Sequence, residues 1–202
     1  RAGLLTTAGF RDVLEIGRVQ RPAEGLYDFN VDNPEPLIPR ALRAEAVERV
    51  GGDGQVVTPL DDESVRCAAE LFRREAVQAV AVCFLFSFLR PDHERRARDI
   101  LRRELPGVYV SISSEVCPEF REFERTSTVA LSAYLQPIVE SYVEKLTGRL
   151  AGRYPGVDLR LIQASGGAMR APAARGRAVN LLNSGPAGGA TAAAFLARLV
   201  DE

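Results

Sequence analysis

Two hydrophobic periods alternate along this chain, and each change of period marks an element. Gly3–Thr7 reads as a short strand. Thr7 then stands as the cap of a helix over about Gly9–Ile16, because Phe10, Val13 and Leu14 share a face. Gln20–Arg40 carries Pro22, Pro34, Pro36 and Pro39 and is expected to be an irregular connection, long enough to suggest a functional or docking segment. Arg43–Val50 and Gln55–Thr58 flank Gly51-Gly52-Asp53-Gly54, a β-hairpin signal near residues 43–58.

From Asp61 the pattern becomes alternating α/β. Asp61 or Asp62 caps a helix to about Glu75, with Val65, Ala68, Ala69, Phe72 and Ala76 inward. Val77–Phe86 is a continuous apolar run, the mark of a strand covered on both faces. Pro91-Asp92 opens a helix to Leu105 that buries Ala97, Ile100 and Leu101, and Val108–Ser113 is the next strand. Strand, helix, strand at this spacing implies a right-handed parallel crossover. Phe120–Leu150 reads as a long helix with Leu131, Tyr134, Leu135, Ile138, Tyr142, Leu146 and Leu150 on one stripe. Pro137 falls inside it, at a cost of roughly 3 kcal/mol, so a kink or two abutting helices is expected. Leu159–Gln163 is a strand, Ser165-Gly166-Gly167 a turn, and Pro186–Leu199 the last helix. The fold class is α/β: one mixed or parallel sheet between helical layers. The division expected is an irregular segment with its hairpin over 1–60 and an α/β domain over 61–202.

Composition narrows the functions more than it names one. A formal net charge of −1 gives no bulk attraction to nucleic acid or an anionic membrane. The longest apolar run, Ala79–Leu89, is too short to span a bilayer. Cys67, Cys83 and Cys117 are widely spaced with no CxxC, which argues against a disulfide framework and a zinc site and for a cytoplasmic protein. A start at Arg1 and a stop at Glu202 just past a helix read as a piece cut from something larger. Cut strand edges would favour self-association into a homo-oligomer.

Candidate chemistry lies in four places. His93 is the one histidine, in the first turn of an arginine-rich helix, and nothing in sequence orients it; a surface or capping role is the plainer reading. Arg90–Glu104 reads as a solvated helix laced with Glu94→Arg98 and Asp99→Arg103 pairs. Glu119–Pro137 opens with Arg121, Glu122, Glu124 and Arg125, followed by Thr126, Ser127 and Thr128, poor helix formers placed together. This is either a capped helix start with a salt-bridge net or a polar cluster facing a cleft. Gln163, Ser165, Gly166 and Gly167 end a strand, where open α/β proteins bind ligands; an ordinary turn is equally served. Ser184-Gly185-Pro186-Ala187-Gly188-Gly189 precedes an alanine-rich helix and suits either an anion at a helix N-terminus or tight packing. It has no P-loop lysine and no dinucleotide spacing.

"GLLTTAGFRDVLEIGRVQRP", "AVAVCFLFSFLRPDHERRARDIL", "VSISSEVCPEFREFERTSTVALSAYLQPIV", "LIQASGGAM" and "LLNSGPAGG" occur in an order that resembles the hydantoinase A / 5-oxoprolinase family over nearly the whole chain. The resemblance implies a partial actin-like ATPase architecture. It implies an intact enzyme that uses ATP with Mg to hydrolyse a small cyclic amide, hydantoin or 5-oxoproline in class, alongside a B-type companion subunit. The ATP-using subunit of an acetone-type carboxylase and a non-catalytic scaffold are the alternatives. Neither DxGGT-type phosphate loop of the family lies in these residues. The resemblance therefore implies a middle segment, inactive alone and binding no ATP alone. Within it, Glu122, Glu124, Arg125, Thr126 and Thr128 are the catalytic candidates. Arg121, Gln163, Ser165, Gly166 and Gly167 would line the cleft, and Ser184, Gly185, Gly188 and Gly189 would lie near the nucleotide. No metal ligand of its own is expected. The chain departs from the family at Ser132, at Ala164-Ser165 and at Phe86, where members often carry other, more polar groups.

Overall fold

The computed structural model describes residues 1–16, 27–28, 30, 34–174 and 176–200. Most of the proline-rich connection Gln20–Arg40 lies outside them. The chain falls into two compact units, Arg1–Tyr134 and the residues from Leu135 onward.

The first unit is built on four parallel strands: β1 (Ala2–Thr7), β2 (Arg43–Ala46), β5 (Ala79–Cys83) and β6 (Tyr109–Ile112), in the order β2-β1-β5-β6. Leu4 pairs with Arg43 on one side and Ala81 on the other, and Val80 pairs with Val110. Every residue of β1 and β5 is buried, as the continuous apolar run predicts for a strand covered on both faces. The strands before and after residue 60 share this sheet. From β1 the chain moves to one side to make β2, then returns past β1 to make β5, so the strand order reverses between β1 and β5.

The hairpin signal resolves differently from its sequence reading. Arg43–Val50 is not one strand: β2 joins the parallel sheet, and only β3 (Arg49–Val50) pairs antiparallel with β4 (Val56–Thr58). The helix expected over Gly9–Ile16 is a single 3-10 turn, Val13–Glu15, because Gly9 has φ +87°. Helix α1 (Asp62–Arg74) is capped by Asp61, whose carboxylate accepts from Glu63 N at 3.1 Å and Ser64 N at 3.3 Å. Val65, Ala68, Ala69 and Phe72 are its buried face, whereas Ala76 lies beyond the helix at φ +49°. The Phe72 ring lies directly over Gly3: a Cβ at Gly3 would stand 2.6 Å from Phe72 Cε1. Helix α2 (Asp92–Glu104) buries Ala97, Ile100 and Leu101 as its period predicts. After β6 comes a one-turn helix α3 (Ser113–Val116), where the sequence suggested strand to Ser113.

Helix α4 (Glu122–Arg153) runs unbroken past Pro137. Its buried residues are not the expected bulky stripe. Val129, Ala130 and Ala133 enter the main core, while Tyr134, Ile138 and Tyr142 stand 46%, 63% and 59% exposed. The smaller side chains make the closer face, and period alone does not say which face that is.

The second unit adds to the end of α4 an antiparallel pair, β7 (Arg160–Ile162) and β8 (Ala168–Arg170), then α5 (Ala171–Ala174) and α6 (Ser184–Val200). The strand predicted at Leu159–Gln163 therefore joins a hairpin and not the parallel sheet. A small core of Val143, Met169, Ala171 and Ala174 holds this unit, with Leu159, Leu161 and Leu181 packed on it. No residue of α6 is fully buried. No helix among the described residues is long and apolar enough to cross a membrane.

Candidate functional site at the carboxyl edge of the parallel sheet

In an open parallel sheet the loops leave in opposite directions where strand order reverses, which opens a crevice at the carboxyl ends. Here that place is the end of β1 and β5. A cavity of about 10 Å³, room for about one water, lies there between Thr6, Phe10, Phe84, Glu122, Arg125 and Thr126.

The first turns of α4 bring three of the predicted residues to this cavity and leave others aside. Arg125 is 1% exposed. Its Nη1 donates to Glu119 O and its Nη2 to Phe84 O, both at 2.8 Å, and its guanidinium lies 5.3 Å from the Phe88 ring centroid. Its Nε is buried with no hydrogen-bond partner among the described residues. Arg125 thus ties α4 to the end of β5. Thr126 is buried and donates to Cys83 Sγ at 3.2 Å. Glu122 is half-buried and lines the cavity. Thr128 instead donates to the Glu124 carbonyl one turn back, and Glu124 lies 3.9 Å from the exposed Arg121, which has φ +77°.

Two buried carboxylates that the sequence reading missed as such complete this edge. Glu94 does not pair with Arg98 on a solvated face. It is 0% exposed and accepts from Phe84 N at 2.9 Å, Ser113 Oγ at 2.6 Å and Ser114 N at 2.8 Å. Burial raises its pKa above the ordinary glutamate value, opposed by these hydrogen bonds. Arg98 turns to Glu115 at 2.7 Å. Burial, aided by the nearby Glu94 charge, also raises the Cys83 thiol. His93 is neither a surface nor a capping residue: it is 8% exposed, and its Nδ1 lies 2.7 Å from Glu48 Oε2. Glu48 also accepts the Thr7 hydroxyl, and Thr7 Oγ1 accepts Leu85 N–H at 3.0 Å. Glu48 lies between β2 and β3 in Arg43-Ala44-Glu45-Ala46-Val47-Glu48-Arg49-Val50, a stretch with other charged residues, so nothing local marked it as buried. The described residues hold no group of three or more His, Cys, Asp or Glu that could bind a metal ion.

In the second unit, Gln163, Ser165, Gly166 and Gly167 form the β7–β8 turn. Gln163 N donates to Gly167 O at 2.7 Å, and Gly166 sits at φ +84°, a conformation glycine adopts freely. Ser184–Gly189 is not a loop but the first turns of α6, entered through Asn183 at φ +54°. Its glycines differ in role. A Cβ at Gly188 would be 3.4 Å from Ile162 Cγ2, an ordinary contact, so this is where α6 lies against β7. Around Gly185 and Gly189 the space is open. A groove of about 390 Å³ lies beside this helix start, lined by Ile138, Tyr142, Leu161, Leu181 and Ser184.

Comparison with known proteins agrees with this architecture. Residues 1–105 match the model of the hydantoinase/oxoprolinase N-terminal region, and residues 125–202 that of hydantoinase/oxoprolinase. The chain is 38% identical over 187 residues to the caprolactamase subunit alpha of Pseudomonas jessenii, covering 93% of this chain and 27% of that protein. The crystal structure of the ATP-dependent caprolactamase from that organism superimposes with a TM-score of 0.81 at 39% identity, over 92% of this chain and 27% of that one. The acetophenone carboxylase gamma subunit of Aromatoleum aromaticum is 34% identical, over 98% of this chain and 28% of its own length. A nucleotide-free acetone carboxylase structure, described for ATP-dependent acetone carboxylation, gives a TM-score of 0.84 at 27% identity, over 99% and 29%. The chain thus spans under a third of the length of these relatives. With both family models matched in chain order and the fold shared along nearly its whole length, the chain belongs to the hydantoinase/oxoprolinase family.

Proposed function

We propose that this chain is part of an ATP-dependent enzyme that hydrolyses the C–N bond of a small cyclic amide. The observation that carries the reading is the 38% identity to a caprolactamase subunit across 93% of the chain, since caprolactam is itself a cyclic amide. The chemistry of the edge supports it. The edge at the strand-order reversal, walled by Glu122 and braced by Arg125 and Thr126, is where open parallel sheets bind ligands; its cavity of about 10 Å³ holds about one water, so a small ring would sit at its mouth and not inside it. Glu122 is the carboxylate best placed to handle a proton there. Arg125, through Nη1 and Nη2 on Glu119 and Phe84, and Thr126, through its hydroxyl on Cys83, act by holding the wall. Arg121 and Glu124, which do not line the cavity, are proposed to meet ligand outside it, with Thr128 donating to the Glu124 carbonyl. Gln163, Ser165, Gly166 and Gly167 are a separate candidate for ligand contact within the second unit.

ATP with Mg, when bound, would supply the phosphoryl group that activates the amide carbonyl. The residues at the start of α6 suit a phosphate: the first-turn amides of a helix lack intrahelical acceptors, and the space around Gly185 and Gly189 is open. Ser184 and Gly185 would hold it; Gly189, in the second turn with its N–H inside the helix, would only leave the approach open, and Gly188 faces Ile162. Relatives that are alpha, beta or gamma subunits support a companion subunit.

A carboxylase reading is favoured by one observation, the TM-score of 0.84 with acetone carboxylase. One experiment separates the two. The full-length protein that carries this segment is incubated with Mg-ATP and caprolactam, hydantoin or 5-oxoproline, and separately with acetone or acetophenone plus bicarbonate. ATP-dependent release of the ring-opened amino acid supports the amidase. Fixed carbonate with no ring opening replaces it with the carboxylase, and turnover of neither class refutes both.

A further inference from the structure

Thr7, Glu48 and His93 come from three separate elements and are 1%, 3% and 8% exposed. Their polar atoms form a single file. Leu85 N–H donates to Thr7 Oγ1 at 3.0 Å, so the Thr7 hydroxyl hydrogen is left for Glu48 Oε1. The other oxygen of Glu48 lies 2.7 Å from His93 Nδ1. A carboxylate that already accepts on one oxygen orients an imidazole through Nδ1, the arrangement that fixes ring tautomer elsewhere in proteins. The file ends on the amide of Leu85, next in chain to Phe84, whose own N–H is taken by Glu94 and whose carbonyl is taken by Arg125. Both peptides that leave β5 at the crevice are therefore gripped by side chains. The segment needs that grip, because Phe86 just after it sits at φ +52°, where a bulky side chain is strained.

We infer that His93 and Glu48 are positioning residues of the crevice: His93 carries its proton on Nδ1, keeps Glu48 aimed at Thr7, and through Thr7 fixes the Leu85 amide and the wall that Phe84 and Arg125 build. The inference rests on the proposed function only for its activity arm. Glu48 lies 45 residues before His93, and neither lines the cavity. Their effect is transmitted by Thr7, next in chain to the cavity residue Thr6.

The test exploits the fact that His93 is the only histidine of the 202 residues. In the nitrogen-15-labelled chain, long-range proton–nitrogen correlation reads which ring nitrogen bears the proton. Nδ1 should be protonated, its signal should shift in Thr7→Val, and it should stay in Thr7→Ser, which keeps the hydroxyl. In the same samples the Leu85 amide should lose protection from hydrogen exchange in Thr7→Val and in His93→Gln, and keep it in Thr7→Ser. An unprotonated Nδ1, or a Thr7→Val chain with an unchanged ring signal and a protected Leu85 amide, overturns the inference. In the full-length enzyme, Thr7→Val and His93→Gln should lower kcat/KM roughly 10- to 100-fold, the size of effect expected of a small misplacement, with Thr7→Ser close to wild type. Wild-type turnover by both variants overturns the positioning role even where the hydrogen bonds are seen. If the wild-type enzyme opens no ring amide, the proposed function fails, and the spectroscopic arm still decides the relay.

Discussion

Gly3, the second residue of β1, lies against the ring of Phe72, and a single methyl there tests how tightly α1 is seated on the sheet. A Cβ at Gly3 would meet Phe72 Cε1 at 2.6 Å and Cδ1 at 2.8 Å. Carbon atoms rest about 3.5–4.0 Å apart, so the ring must retreat by about 1 Å. Phe72 is 0% exposed and belongs to the same buried cluster as Leu5, Val65, Ala69 and Val80, and close-packed interiors resist such a shift. Overpacking of this kind costs about 1–3 kcal/mol. Gly3→Ala should therefore lower the stability of the first unit by that amount, read by urea unfolding followed through amide exchange of β1 and β5. The partner change Phe72→Leu removes the clashing ring edge at its own packing cost. In the double variant the two costs should not add, with a coupling of about 1 kcal/mol or more. A Gly3→Ala chain within about 0.5 kcal/mol of wild type, or strict additivity with Phe72→Leu, refutes the argument that contact with the ring excludes a side chain from this position.

Glu94 predicts a pH signature. Burial raises its native pKa, so the folded chain holds that proton to higher pH than the unfolded chain; its contribution to stability is present below the ordinary glutamate value and lost as pH rises through the native one. Wild type should lose stability relative to Glu94→Gln over that window, and parallel stability–pH curves would count against it. Asp61→Ala removes the cap on Glu63 N and Ser64 N and should cost about 0.5–2 kcal/mol, seen first as faster exchange of those amides; unchanged exchange would show that the cap does not matter. Gly188→Ala places its methyl at an ordinary 3.4 Å from Ile162 and gains helix propensity, so it should leave the second unit as stable or up to about 1 kcal/mol more so. Gly188→Val crowds Ile162 further and should destabilise β7 and α6, and equal melting of the Ala and Val variants would remove Gly188 as the contact point.

Local pattern settled the elements whose cause is local. The buried face of α1, the buried residues of α2 and the doubly covered β5 follow from spacing of apolar residues. The Asp61 cap and the glycine turn at Ser165-Gly166-Gly167 follow from side-chain chemistry within a few residues. The order of long motifs was enough for the family. Where the sequence reading went astray, the deciding partner was far away in the chain. Arg43–Ala46 was read as part of a hairpin strand, and only pairing with β1, some forty residues earlier, puts it in the parallel sheet. Leu159–Gln163 likewise finds β8 rather than that sheet. On α4 the bulky stripe and the small-residue face have the same period, and contact with the first unit's core selects the small one.

The candidate site divides along the same line. Glu122 and Arg125 drew notice as charged residues crowded ahead of the poor helix formers Thr126, Ser127 and Thr128, but their packing could not be read: whether a guanidinium faces a ligand or two carbonyls depends on where Phe84 and Glu119 end up. His93 and Glu94 looked like the polar face of a charged helix. They are interior because the ends of β1, β5 and β6 expose peptide N–H groups and hydroxyls that need acceptors, and the first turn of α2 is placed to answer them. Periodicity records which residues avoid water. It does not record which buried amides lack a partner, and that deficit exists only once the strands are laid side by side.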